Sequence, residues 1–264
     1  MLKPIKPLHL TSPGPVNRNH PLLVFLPGMD GTGTLYVNQT KRLKQYFDIR
    51  CLVIPPDDQT PWSGLVQQTI KLIQQDRHGR PVYLCAESFG ACLALQVVAH
   101  APDLIDRLVL INPASSFGRI PWFRWVASVA PWVSASAYQM GTLTLLPLLA
   151  ALHRVSDDSR SKLLTAMRSV TQRSAAWRMT LLTQFRVEDL PLHSFRNPTL
   201  FIVGQADRLL PSFSEVKRLA RFLPNSQTHL LPLSGHACLL EKEVDLVAIL
   251  KGTNMLPKPL SSAA

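Results

Sequence analysis

The chain has 264 residues, with 28 Lys+Arg against 17 Asp+Glu, a net charge of +11, and only 17% charged residues. With 46% hydrophobic residues it is too apolar to stay unfolded, and it is long enough to bury a full core as one domain or one domain with a large insertion. The surplus charge raises nucleic acid, an anionic membrane surface or an anionic substrate as partners, and its sign alone does not choose among them.

Residues 1–10 carry two lysines interrupted by prolines, without an apolar stretch of signal-peptide length, and read as a leader strand or a loose arm. Residues 22–26 (Leu-Leu-Val-Phe-Leu) form the first strong strand and run into Pro27, Gly28, Met29, Asp30, Gly31, Thr32 and Gly33. A glycine-rich turn there can offer a backbone amide, here Met29 N–H, to a developing oxyanion. Gly28 and Asp30 are candidates for substrate contact, and Asp30 is equally suited to hydrogen-bonding the loop into shape. The glycines match neither phosphate-loop spacing nor the dinucleotide fingerprint, which argues against a nucleotide cofactor.

Apolar runs follow at 49–54, 81–86, 107–112 and 198–204, with a weaker one at 227–232. Helix-length amphipathic stretches lie at 35–47, 62–77, 89–100, 212–223 and 238–250. Continuous apolar strands alternating with helices predict an α/β fold with a doubly wound, mostly parallel sheet covered on both faces. From 116 to 195 no strand is readable, and so long an excursion predicts an inserted helical cap. The expected organisation is therefore a core of 1–115 and 196–252, a cap of 116–195 and a flexible tail of 253–264. Cys51, Cys85, Cys92 and Cys238 are widely spaced in apolar runs, which fits buried free thiols in a reducing, cytoplasmic compartment and gives no metal site.

Chemistry concentrates at three strand ends. The third strong run ends in Ala86, Glu87, Ser88, Phe89 and Gly90 and passes directly into a helix. This fits a G-x-S-x-G nucleophile elbow with alanine in the first glycine place, lifting the Ser88 hydroxyl and freeing Phe89 N–H as a second oxyanion donor. Asp207 follows the strand ending at Gly204, and His236 sits in a Ser-Gly-His turn after the last run. Singly, these are a serine cap, a helix-capping aspartate and a turn histidine. Together, in the order Ser88, Asp207, His236, they match a hydrolase triad with nucleophile, orienting acid and general base. Asp189, near the end of the cap, is the alternative acid.

The strings Phe-Leu-Pro-Gly-Met-Asp-Gly-Thr-Gly (25–33), Ala-Glu-Ser-Phe-Gly-Ala-Cys-Leu-Ala-Leu (86–95), Ile-Asn-Pro-Ala-Ser-Ser-Phe (111–117) and Ser-Gly-His-Ala-Cys-Leu-Leu-Glu (234–241) carry a further resemblance. The chain resembles an α/β-hydrolase from end to end, and those strings are similar to the hydrolase half of the phytyl ester synthase/diacylglycerol acyltransferase (esterase/lipase/thioesterase) family. The resemblance implies esters of long-chain acyl groups with lipid alcohols, handled through an acyl-enzyme on Ser88 without a cofactor. It also implies a plastid or cyanobacterial setting. No acyltransferase segment follows the histidine segment in this sequence, so hydrolysis is expected ahead of synthesis. His153 and Asp158 spell the H-x4-D of glycerolipid acyltransferases by chance, since its companion motifs are missing.

The cap supplies the clue to partners. Residues 125–152 contain no Lys, Arg, Asp or Glu, yet Pro131, Pro147 and Gly141 argue against a membrane span. Trp122, Trp125 and Trp132 are expected to line a pocket for a lipophilic ester or acyl donor. Between Arg119 and Arg186 nine basic residues face two acidic ones, a local +7 that fits a surface resting on anionic lipid. No nucleic acid is expected, because no reading motif accompanies the charge. The competing function is a catalytically inactive α/β-hydrolase acting as a lipid-binding or scaffold protein.

Overall fold

A computed structural model describes residues 7–257. The strands are β1 (His9–Thr11), β2 (Leu22–Leu26), β3 (Asp48–Val53), β4 (Val82–Glu87), β5 (Arg107–Ile111), β6 (Thr199–Gly204) and β7 (Ser226–Leu231). They form one sheet in the order β1-β3-β2-β4-β5-β6-β7. Only β1 runs antiparallel, pairing with β3 at the edge and supplying the leader strand; residues 1–6 lie outside the described residues.

Parallel strands covered on both faces must be apolar on both, and side-chain alternation divides them between two cores. Leu22, Val24, Leu84, Ala86, Leu108 and Leu110 face one cluster, whereas Leu23, Phe25, Tyr83, Cys85, Val109 and Ile111 face the other. Helices α2 (Trp62–Arg77), α3 (Phe89–His100) and α8 (Ser212–Leu219) cover the first face, and α1 (Val37–Leu43) and α9 (Leu246–Gly252) the second. Every residue of α3 from Phe89 to Val98 is buried, and all but Gln96 are apolar or glycine, because this helix runs through the core.

Between β5 and β6 the chain forms α4 (Pro121–Val129), α5 (Ala135–Leu149), α6 (Asp157–Ser169) and α7 (Gln172–Gln184). Serine or threonine begins three of these helices: Ser134, Ser156 and Thr171 accept from Ala137 N, Ser159 N and Ser174 N. Among the described residues no helix is long and apolar enough to cross a membrane.

Two expectations about the C-terminal part change. The stretch 238–250 is not one helix, because a short 3-10 turn at Cys238–Leu240 is separated from α9 by a break at Glu241. The Glu241 carboxylate turns inward to accept Gly235 N and Ser234 Oγ, each at 2.8 Å, and it pairs with Arg154 of the cap at 2.7 Å. Of the flexible tail expected at 253–264, the described part is held to the core: Met255 is buried and its amide donates to Leu250 O. The remainder, 258–264, lies outside the described residues.

Candidate active site

Strand order places the site. The chain leaves β2 and β4 in opposite directions, since β3 lies on one side of this pair and β5 on the other, and the crevice beyond their C-terminal ends is where open α/β sheets bind ligands. Leu26 pairs with Ala86, so the Gly28 turn and Ser88 emerge level with each other. Ser88 adopts φ 54°, ψ −113°, a strained conformation for a residue with a side chain. It persists because the surroundings over-determine it: Ser88 N donates to Ile111 O at 3.0 Å, and Ser88 O accepts from Ala91 N and Ala114 N. At Gly90 a Cβ would lie 2.3 Å from Leu26 O and 2.5 Å from Pro27 O, so only glycine lets α3 start this close to β2.

The three expected side chains meet. His236 Nε2 lies 2.9 Å from Ser88 Oγ, and His236 Nδ1 lies 2.7 Å from Asp207 Oδ2. A carboxylate can only accept, so it holds the imidazole proton on Nδ1 and leaves Nε2 to accept from the serine hydroxyl. Asp207 also accepts from Leu209 N, Leu210 N and Ser212 Oγ. Burial works against its charge, but His236 and these hydrogen bonds hold the Asp207 carboxyl below its ordinary value. Burial likewise pulls His236 down, and the Asp207 carboxylate, with a smaller contribution from Glu87, outweighs it and raises the imidazole above 6.5. Asp189 is exposed and belongs to a short 3-10 turn, so the acid beside the histidine is Asp207.

Met29 and Phe89 each follow a residue at the point where the β2 loop meets the elbow, Gly28 and Ser88, and the N–H of neither donates to an acceptor among the described residues. Gly28 closes the gap, with the position of a Cβ there 3.7 Å from Ser88 Cβ. Asp30 is buried and accepts from Thr32 N at 2.9 Å and Thr32 Oγ1 at 2.5 Å, which shapes the loop. The tryptophans expected to line a pocket are not brought into the site: Trp122, Trp125 and Trp132 are 51%, 66% and 88% exposed. The inward positions of α4 belong instead to Phe123 and Ala127. Trp62, stacked on Phe89 with ring centroids 4.9 Å apart, supplies the aromatic packing behind the elbow.

Several positioning groups had no readable signal. Asn112, at φ 40°, donates to Gly235 O and His236 O at 3.1 and 2.7 Å and accepts from Gly204 N, tying β5 and β6 to the histidine loop. Leu149 O, at the C-terminus of α5, accepts from Ala237 N at 2.7 Å, so the cap holds that loop from above. Arg178 of α7 reaches the carbonyl of Met29.

The family model described as serine aminopeptidase, S33 matches residues 65–243, which include Ser88, Asp207 and His236. The chain belongs to this family. It is a serine-hydrolase-type α/β-hydrolase, with phytyl ester synthases among its relatives. Phytyl ester synthase 1, chloroplastic, from Arabidopsis thaliana is 31% identical over 258 residues, covering 88% of this chain and 37% of the relative. The chain thus spans little more than a third of that protein's length. The sn-1-specific diacylglycerol lipase ABHD11 from Mus musculus is 25% identical, covering 86% of this chain and 78% of the lipase. Among solved structures, MenH from S. aureus superposes with a TM-score of 0.75 at 17% identity, covering 93% of this chain and 96% of MenH, and shares the fold.

Proposed function

We propose that this chain is a serine esterase acting on lipophilic carboxylic esters through an acyl-serine intermediate. The observation that carries the reading is the hydrogen-bonded line from Asp207 through His236 to Ser88, beside two unengaged amides. In this mechanism Ser88 Oγ attacks the ester carbonyl carbon as its proton passes to His236 Nε2. The carbonyl oxygen gains negative charge and is received by Met29 N–H and Phe89 N–H. The tetrahedral adduct collapses, the C–O bond breaks, and His236 returns the proton to the departing alcohol. Water then attacks the acyl-serine, with His236 again as base, and releases the acid; a lipid alcohol taking the place of water would make a new ester. Similarity to proteins named phytyl ester synthase and diacylglycerol lipase supports a lipid ester as the substrate class.

We further propose that the outer cap meets an anionic lipid surface. Support comes from Trp122, Trp125, Trp132 and Met140, all exposed, together with Arg124, which has no carboxylate partner among the described residues.

The esterase reading is tested with p-nitrophenyl esters of increasing chain length. A burst of about one p-nitrophenolate per chain is expected, with kcat/KM rising as the acyl chain lengthens. Ser88→Ala is expected to lower kcat by about 10⁴-fold or more. Folded wild-type protein that turns over none of the series would contradict the reading.

A further inference from the structure

The mechanism above leaves one buried charge without a role. Arg178 projects inward from α7 and is 2% exposed. Its Nη1 donates to Met29 O at 2.5 Å, and its Nη2 donates to Pro55 O at 2.9 Å and Ile54 O at 3.5 Å. No carboxylate lies within ion-pair distance of it among the described residues. The two nearby acids act on it only through space, and both are occupied locally, Asp30 by Thr32 and Asp58 by Thr60. Burying a guanidinium against carbonyls alone is unfavourable compared with an apolar residue of similar size. Fastening α7 to the core does not require it either, because other bonds do so. Trp177 Nε1 donates to Thr60 O at 3.0 Å, Trp62 Nε1 to Leu181 O at 2.9 Å, and Thr171 N to Pro56 O at 3.0 Å.

What the charge does hold is the residue whose amide flanks Ser88. Met29 N–H belongs to the 28–29 peptide, whose Gly28 O accepts from Gly31 N at 3.1 Å, and the guanidinium holds the adjoining peptide through Met29 O, so the two planes on either side of the Met29 Cα are both tied and rotation about Met29 is limited. The loop is moulded to the guanidinium: at Gly31, where φ is +70°, a Cβ would lie 2.8 Å from Arg178 Nη1 and 2.9 Å from Ile54 O. Hydrogen-bond donors stabilise a transition state best when they are held in place before charge develops.

We propose that Arg178 is a positioning residue for the oxyanion hole, a cation supplied by the cap that holds the Met29 amide in aim and sets positive charge on the loop receiving the negative charge. This rests on the acyl-serine reading. The oxyanion hole is then complete only with α7 seated, so α7 is a fixed part of the site.

The test compares wild type with Arg178→Met and Arg178→Lys in the full chain, on a soluble p-nitrophenyl ester and a trifluoromethyl ketone whose serine adduct carries the oxyanion. Arg178→Met is expected to lower kcat about 100-fold with KM changed less than about threefold, and to weaken ketone binding by the same factor as kcat/KM. Arg178→Lys, which keeps the charge and the buried stem but loses the fork, is expected to lose about tenfold. A purely structural role would reduce stability without separating ketone affinity from KM. Should Arg178→Met fail to fold, the lysine variant decides: wild-type kcat and ketone affinity in either folded variant overturn the proposal. Wild type that neither turns over ester nor binds the ketone would instead overturn the acyl-serine reading.

Discussion

Glu87, one residue before Ser88, is buried, and no described residue donates a hydrogen bond to its carboxyl. Burial, reinforced by Asp30, pushes it from 4.5 up to about 7 against the opposing pull of His236; Cys85 and Cys238 are the other titratable groups near it. An ionised Glu87 favours the imidazolium form of His236, which cannot accept the serine proton. The acid limb of kcat/KM is therefore expected above pH 6.5, and Glu87→Gln is expected to move it to lower pH. Stability carries the same sign. A carboxyl raised in the folded state contributes stability below its unfolded value near 4.5, and that contribution is lost as pH rises through about 7. Between pH 5 and 8 the variant should gain about 3 kcal/mol on wild type in denaturant unfolding. An unmoved acid limb together with parallel stability profiles would contradict this assignment.

Elements divide the cap into a fixed and an outward part. Helix α7 is bonded to the loops after β2 and β3, whereas α4 and α5 turn tryptophans and Met140 to solvent. The local +7 is also redistributed by the fold. Arg119, Arg160 and Lys162 pair with Glu188, Asp157 and Asp158, and Arg154 pairs with Glu241. Arg178 is buried, which leaves Arg124, Arg168, Arg173 and Arg186 as cations without a carboxylate partner among the described residues. Attraction to anionic lipid should then be modest and should weaken as salt screens it. Joint Trp122→Ser and Trp125→Ser changes are expected to reduce binding to phosphatidylglycerol vesicles about tenfold in a sedimentation assay. Wild-type binding by that variant would remove the outer cap from the account.

At the scale of the whole molecule, the parallel sheet was readable because strands buried on both faces must be continuous apolar runs. Edge strand β7 was the weakest signal because half of its positions are exposed and the other half only partly covered. The candidate triad was readable because Ser88, Asp207 and His236 each follow a strand end in a fixed chain order. Composition announced the cap's tryptophans but could not say which way each one faces, and so the expected pocket lining is on the surface. Arg178 was silent, and Asn112 and Glu241, although inside strings that carry the resemblance, gave no sign of their roles, for a different reason: their partners are backbone groups or side chains brought near only by folding, as with Arg178 and Met29, 149 residues apart. The central claim is that Ser88 is a nucleophile activated by His236, and intact-mass and peptide analysis after a fluorophosphonate reaction tests it most directly. One adduct per chain on Ser88 is expected, absent in Ser88→Ala and at least about 100-fold slower in His236→Ala; folded wild type that stays unlabelled, or carries its label elsewhere, would contradict the account.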